Sequence, residues 1–446
     1  MAQMVRDQIV TAKEAGELAA RIAAAFPKTA GLPSHARASV LAKVAERIEG
    51  EAEAFAKLIC EEVKKPLKEA RREVVRAAFT FRWASEETKR FGGEWLPIDF
   101  DSNTEGRSIL TRRFTRGPAL FIAPFNFPLN LVAHKVAPAV ATGTAFVLKP
   151  PPQAPRVSRM LGKLLVEGGW PQEAFAVVPC SNETAEQLVK SDDFRVISFT
   201  GSAGVGWKIK ALSGKKHCVL ELGGNAAVVV APDADLPWAA ARCAWGGFYY
   251  SGQVCISVQR VFAHKSVYED FKAYFLANIA ELKAGDPMDE NTDIGPLIND
   301  AAADRVEAWI AEATKAGAKV LAGGPRKGRT IPPTVLENVP AACKVSCEEV
   351  FGPVVVLESY DNWTEVLARI DAGAYGLQAG IFTRDMPNIF EAWEKLRVGG
   401  LIVNDIPAFR SDAMPYGGSK DSGLGREGIK YAMEEYTETR VLVLKP

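Results

Sequence analysis

The sequence predicts an α/β protein: a parallel sheet covered by helices on both faces, followed by a second alternating α/β block. Two observations carry this. From about residue 117, short apolar runs such as ALFIA (119–123), AFVLK (145–149) and RVISF (195–199) alternate with helical segments. Strands buried on both faces read as such continuous apolar runs, and their alternation with helices is the mark of a parallel sheet. A second alternating block begins at AAVVVA (226–231) and continues to about residue 405. The length of 446 residues leaves room for two or three domains with sizeable cores.

Taken in order, residues 10–91 read as helices. Apolar residues recur at three and four through SVLAKVAERIEGEAEAFAKLICEEV, with Pro33 and Ser34 as a start; a second helix runs from about Pro66 to Arg90 and stops at Gly92 and Gly93. RSILTRRFTRG, from 107, alternates like an exposed strand. Strand 119–123, helix 130–141, strand 145–149 and helix 155–167 follow. Strand 174–178, a short helix, strand 195–199, helix 204–211 and strand 218–222 complete the first block. In the second block the helices fall near 235–250, 267–282, 300–316, 363–371 and 386–396. The tail YTETRVLVLKP ends as a strand with no obvious partner in sequence. Together with the strand at 107–116 it suggests a segment used between subunits.

Composition excludes several classes. Lys plus Arg and Asp plus Glu are 54 each, so bulk charge would hold neither nucleic acid nor an anionic membrane. No stretch approaches the roughly 18 apolar residues of a membrane span, and the charged start MAQMVRDQIVTAKEAGE lacks the apolar core of a signal peptide. The seven cysteines are odd in number and scattered, the pattern of reduced thiols in a cytoplasmic protein. Cys343 and Cys347 have no His or Cys nearby to complete a zinc set, and the four histidines make no metal-binding spacing, so no metal site is expected.

Four turns at strand ends carry chemistry. APFNFPL (123–129) presents Asn126 between two prolines, as a turn element or as an amide donor for an oxyanion. FTGSAGVG (199–206) sets Gly201 and Ser202 where a strand opens into a helix. Backbone N–H groups there suit a pyrophosphate, although the spacing is not the dinucleotide fingerprint. LELGGN (220–225) puts Glu221 at an apolar strand end, where burial would raise its pKa and suit it to general-base work. YYSGQVCISVQR (249–260) holds Cys255, which alone reads as packing and beside the other three reads as a nucleophile.

The ordered set PFNFP, LKP, FTGS, ELGG, GQVC, EEVFGPVV and MPYGGSKDSGLGREG closely resembles the aldehyde dehydrogenase superfamily, from about residue 10 to the C-terminus. The resemblance implies a Rossmann-like cofactor domain (1–106 and 117–224), an α/β catalytic domain (225–424) and a β-flap for oligomerisation (107–116 and 425–446). It implies oxidation of an aldehyde to the acid with NAD or NADP, in a homodimer or homotetramer. Cys255 matches the family nucleophile and Glu221 the general base. Asn126 matches the oxyanion donor, acting with the Cys255 backbone N–H. Lys149 matches the lysine on the adenosine ribose, Gly201 and Ser202 the pyrophosphate turn, and Glu349 the acid on the nicotinamide ribose. Phe351 packs nearby, and Phe125 is placed with the cofactor residues.

Departures from the family pattern refine this. Pro152 stands where NAD-preferring relatives often carry an acid, so NADP should be accepted beside NAD. Val254 stands where relatives acting on phosphorylated or phosphonate aldehydes often carry Arg, which argues against a strongly anionic substrate. Phe127, next to Asn126, favours an apolar or weakly polar aldehyde. Arg410 either meets a polar group of the substrate or pairs with Asp405 or Asp412. A coenzyme A-acylating reaction is the alternative, and Glu221 favours hydrolysis because acylating relatives commonly lack that acid.

Overall fold

The apolar runs of the first block assemble into one sheet. In the computed structural model, which describes residues 8–445, its parallel strands are Ala119–Ile122, Phe146–Lys149, Phe175–Val177, Val196–Thr200 and His217–Glu221. The chain lays down Ala119–Ile122, adds two strands on one side, then returns and adds two on the other. The reversal falls between Ala119–Ile122 and Val196–Thr200, and ligands bind open α/β sheets at such a switch point, beyond the carboxyl ends of the strands. Gly423–Leu424 closes one edge antiparallel, Gly423 pairing with Glu221.

The second block forms a seven-stranded sheet. Its parallel strands are Thr334–Glu337, Val354–Tyr360, Val258–His264, Ala226–Val230, Gln378–Phe382 and Gly400–Val403, with Lys319–Ala322 antiparallel at one edge. Helices Leu236–Phe248, Tyr268–Ala280, Asp300–Lys315, Trp363–Asp371 and Met386–Lys395 cover it, close to the sequence expectation.

Helices Ala12–Ala30, Ser34–Gly50, Ala52–Val63 and Leu67–Arg90 precede the first sheet. Thr11 and Glu14 cap the first reciprocally, satisfying backbone N–H groups that the helix leaves free. The long helical pattern after Ser34 breaks at Glu51, whose φ of −112° and ψ of 20° leave the helical region. Helix Ile429–Glu435, absent from the sequence reading, packs against helices Asn130–Thr142 and Leu67–Arg90. Its seven residues are too few for periodicity to declare it.

The terminal strand Thr437–Leu444 finds its partner in the same chain. It pairs antiparallel with Ser108–Thr115 over its whole length, from Thr437 opposite Thr115 to Leu444 opposite Ser108. With Trp95–Leu96 these make a three-stranded flap. The two strands thus satisfy each other first, and among the described residues the other edge of Thr437–Leu444 has no paired strand. Among the described residues no helix is long and apolar enough to cross a membrane.

Candidate active site

Register brings the four turns together. Ile122 pairs with Lys149, Phe199 with both Ile122 and Leu220, and Thr200 with Glu221. The residues just past these strand ends therefore share one rim. Asn126 follows the first strand, Gly201 and Ser202 the fourth, and Lys149 and Glu221 end theirs. The Gly201 N–H donates to the Glu221 carbonyl at 3.0 Å, tying the phosphate-type turn to the acid.

Cys255 reaches this rim from the second block on a strained turn. Tyr250, Ser251 and Gly252 all have positive φ, 48°, 55° and 68°. Such a run costs energy in two non-glycine residues and persists only where the surroundings over-determine it. Here the Tyr250 hydroxyl donates to the Val63 carbonyl at 3.1 Å and the Ser251 hydroxyl to the Gly295 carbonyl at 2.7 Å. Gly224, of the ELGG turn, lies against the result, since a Cβ there would stand 2.3 Å from the Cys255 carbonyl oxygen.

Asn126 is buried, and its side-chain amide donates to the Gln253 carbonyl at 3.2 Å, two residues before Cys255. An amide carries two hydrogens, so one remains for an oxyanion. Behind it, buried Lys65 sits 3.6 Å from the Phe127 ring centre and 4.6 Å from that of Tyr250, so one cation braces both turns. Lys65 pairs with buried Glu73, which accepts the Leu129 and Asn130 N–H groups and so caps helix Asn130–Thr142.

The Cys255 sulfur is half-buried and lies 3.3 Å from the Tyr416 hydroxyl. Burial pushes the thiol up to about 12, and the Tyr416 hydrogen bond pulls against that rise. Glu221 is buried, and neither carboxyl oxygen has a hydrogen-bond partner among the described residues. Burial and then the charge of Glu427 hold its carboxyl well above the usual range. Glu427 goes the other way. Burial opposes its charge, but Lys135 at 3.1 Å and Arg410 at 3.2 Å hold it down at about 2. Of the two acids, the one bonded by cations is held in its charged form, and the one without such partners is pushed toward its protonated form.

The residues expected to hold the cofactor also converge. The Glu349 carboxylate accepts the Gly224 N–H at 3.1 Å, and a Cβ on Gly223 would stand 2.5 Å from its other oxygen, so only glycine admits it there. Burial raises Glu349 to about 7. Phe351 and Phe125 meet edge-on at 5.9 Å between ring centres. Lys149 is buried, and that burial lowers its ammonium pKa. Exposed Ser202 caps helix Ala203–Leu212 with its backbone and spends no side-chain hydrogen bond on the cap. A buried cation, a free helix N-terminus, a buried carboxylate and an aromatic pair on one rim fit a dinucleotide.

Sequence reading missed Tyr416, Glu427 and Lys135. Lys135 had left a signal, a cation within the apolar run LVAHKVAPAVA. It is fully buried and donates to Ser198, Thr200 and Glu427. Arg410 pairs with Glu427 and lies 4.0 Å from Asp412, whereas Asp405 is taken by Arg242.

A switch-point rim that fits a dinucleotide, facing a cysteine and a buried carboxyl without a hydrogen-bond partner among the described residues, suits a nicotinamide-dependent oxidoreductase. The chain belongs to the aldehyde dehydrogenase family, whose model matches residues 3–442. It is 44% identical over 409 residues to 3-sulfolactaldehyde dehydrogenase of Priestia megaterium, covering 92% of this chain and 86% of that protein. The structure of aldehyde dehydrogenase 21 from Physcomitrella patens with its product succinate superposes with a TM-score of 0.96 at 43% identity. That match covers 98% of this chain and 91% of the other. The NADP complex of glyceraldehyde-3-phosphate dehydrogenase GapN from Methanocaldococcus jannaschii gives 0.95 at 36% identity, over 99% and 96% of the two chains. The protein is an NAD(P)-dependent aldehyde dehydrogenase, oxidising an aldehyde to the carboxylic acid.

Proposed function

We propose that the substrate is a small aldehyde bearing an anionic group, oxidised at Cys255 and released by water activated at Glu221. The observation that carries the substrate class is Arg410. Its side chain is 5% exposed, its guanidinium lies 3.7 Å from the Tyr416 ring centre, and its Nε has no hydrogen-bond partner among the described residues. A buried guanidinium N–H without an acceptor invites one from the substrate. Around it stand Asp412, His134 and Arg76, with His134 Nε2 2.8 Å and Arg76 Nη2 2.6 Å from one Asp412 oxygen. Arg410 in this polar wall lies two contacts from the thiol, and it supports a charged aldehyde, against the expectations that Val254 disfavours a strongly anionic substrate and Phe127 favours an apolar or weakly polar one. The names of the relatives, with sulfolactaldehyde, succinate and a phosphorylated aldehyde, point the same way.

In this reading the Cys255 thiolate attacks the aldehyde carbon. The second N–H of Asn126 and the Cys255 backbone N–H hold the resulting oxyanion. Lys149, Gly201, Ser202 and Glu349, with Phe125 and Phe351, hold the cofactor. A nicotinamide held there would supply the hydride acceptor for oxidation of the Cys255 adduct to a thioester. Glu221 then takes a proton from water, the hydroxide adds to the thioester carbon, and the acid leaves as the thiolate reforms.

Aldehydes matched in length but carrying a carboxylate, a sulfonate, a hydroxyl or a methyl group should separate by kcat/KM. The anionic pair is expected to lead by about tenfold or more, the scale of one charge-assisted hydrogen bond. Equal values across the series would remove the anionic reading. Asn126→Ala should lower kcat by about 10²–10³ with cofactor binding unchanged, as loss of one oxyanion donor does; a fall confined to KM would show that the amide merely shapes the turn.

The flap fits a homodimer or homotetramer. Val441, Leu442, Val443 and Leu444 are all about half exposed or more, so both faces of an open-edged strand are apolar. Val441→Asp is expected to reduce the mass seen by light scattering to that of smaller species, and an unchanged mass would move the interface elsewhere. A cytoplasmic setting fits the free cysteines, since none of the seven is paired.

A further inference from the structure

We propose that Tyr416 is a further catalytic residue, its phenol O–H donating to the Cys255 sulfur and stabilising the thiolate, with Arg410 strengthening the donor from the ring face. This rests on the reading of Cys255 as the nucleophile. The hydroxyl lies 3.3 Å from Sγ, within reach of a sulfur acceptor, and the tyrosine is buried. Its backbone is fixed by a reciprocal pair with Glu427, the Tyr416 N–H donating at 3.0 Å and the Glu427 N–H at 2.7 Å. The Arg410 guanidinium stands 3.7 Å from the ring centre, anchored by the Glu427 carboxylate at 3.2 Å. A cation on the ring face draws electron density from the phenol and makes its hydrogen a better donor.

The groups that face the sulfur divide into two sets. Glu349 and Glu221 disfavour the thiolate when ionised, whereas Tyr416 and Arg410 favour it. Tyr249 faces it as well, and burial keeps that phenol protonated. Burial and the nearby thiol do the same for Tyr416, so it can only donate to a sulfur anion. No proton leaves the phenol. The thiol loses its own proton to solvent, and the Tyr416 O–H then points at the charge that remains.

The test is the pH dependence of iodoacetamide alkylation, followed by mass spectrometry of the peptide carrying Cys255 in the full-length enzyme. Tyr416→Phe keeps the ring under Arg410 and removes only the hydroxyl. The apparent pKa of Cys255 alkylation should rise by about one unit, so that below it the rate falls roughly tenfold. A superimposable pH profile in the folded variant would overturn the proposal. If Tyr416→Phe does not fold, trifluorotyrosine at 416 keeps the hydroxyl and makes it a stronger donor; alkylation should then shift to lower pH, and no shift overturns the proposal equally. Full dehydrogenase activity in Cys255→Ala would sink the nucleophile reading instead, so the two failures are distinguishable.

Discussion

Cys255→Ala is expected to abolish aldehyde oxidation, by a factor on the order of 10⁴ or more, while the protein still folds and binds NADP. The reaction needs a covalent adduct, because hydride leaves easily only from a carbon already carrying an oxyanion. Alanine removes the sulfur and leaves the turn. That turn is held by backbone and by Tyr250 and Ser251, which bond Val63 and Gly295 rather than the thiol. Stability should therefore change little, since the side chain is only half-buried and its one hydrogen bond goes to Tyr416. The measurement is NADPH formation at saturating aldehyde, beside NADP binding by fluorescence. Turnover within tenfold of the parent enzyme would move the nucleophile to another residue.

Glu221→Gln is expected to separate the two halves of the reaction. One equivalent of NADPH should form in a rapid burst, and the steady state should then slow by about 10²–10⁴, the usual contribution of a general base. Glutamine keeps the shape and cannot take a proton from water. The pH dependence follows from the direction of the shift. Burial and Glu427 raise the Glu221 carboxyl well above the usual carboxylate range, and a protonated carboxyl is no base. The steady-state rate of the parent should thus rise with pH as Glu221 ionises, and Glu221→Gln should lose that limb. Acid release with coenzyme A omitted tests the same step. If the parent stalls after one equivalent, the acyl group needs a thiol acceptor and the hydrolytic reading fails.

Much of the fold was legible because strands buried on both faces leave continuous apolar runs. ALFIA, AFVLK, RVISF and CVLEL each became a strand of the first sheet, within a residue or so of the expected ends. The order of those strands was not legible, since it depends on which edge each crossover joins. The returning segment 416–428 was not legible either. Its pairing of Gly423 with Glu221 and its placing of Tyr416 on Cys255 join residues 161 or more apart in the chain, which no local pattern encodes.

The sequence by itself determined the kit: a thiol, an amide, a carboxylate and a glycine turn, each at the end of a strand or in a turn that chain periodicity could place. Their order, through its resemblance to the aldehyde dehydrogenase family, was enough to identify the reaction class, and residue type sets what each group can donate, accept or attack. Only the tertiary structure decided the state of each group. Glu221 and Glu427 are the same residue type and both are buried. Lys135 and Arg410 reach Glu427 and pull it toward its charged form, whereas burial pushes Glu221 toward its protonated form and no cation bonds it among the described residues. That difference is made by side chains from distant segments meeting in a low-dielectric interior, where a charge is tolerated only beside its partner.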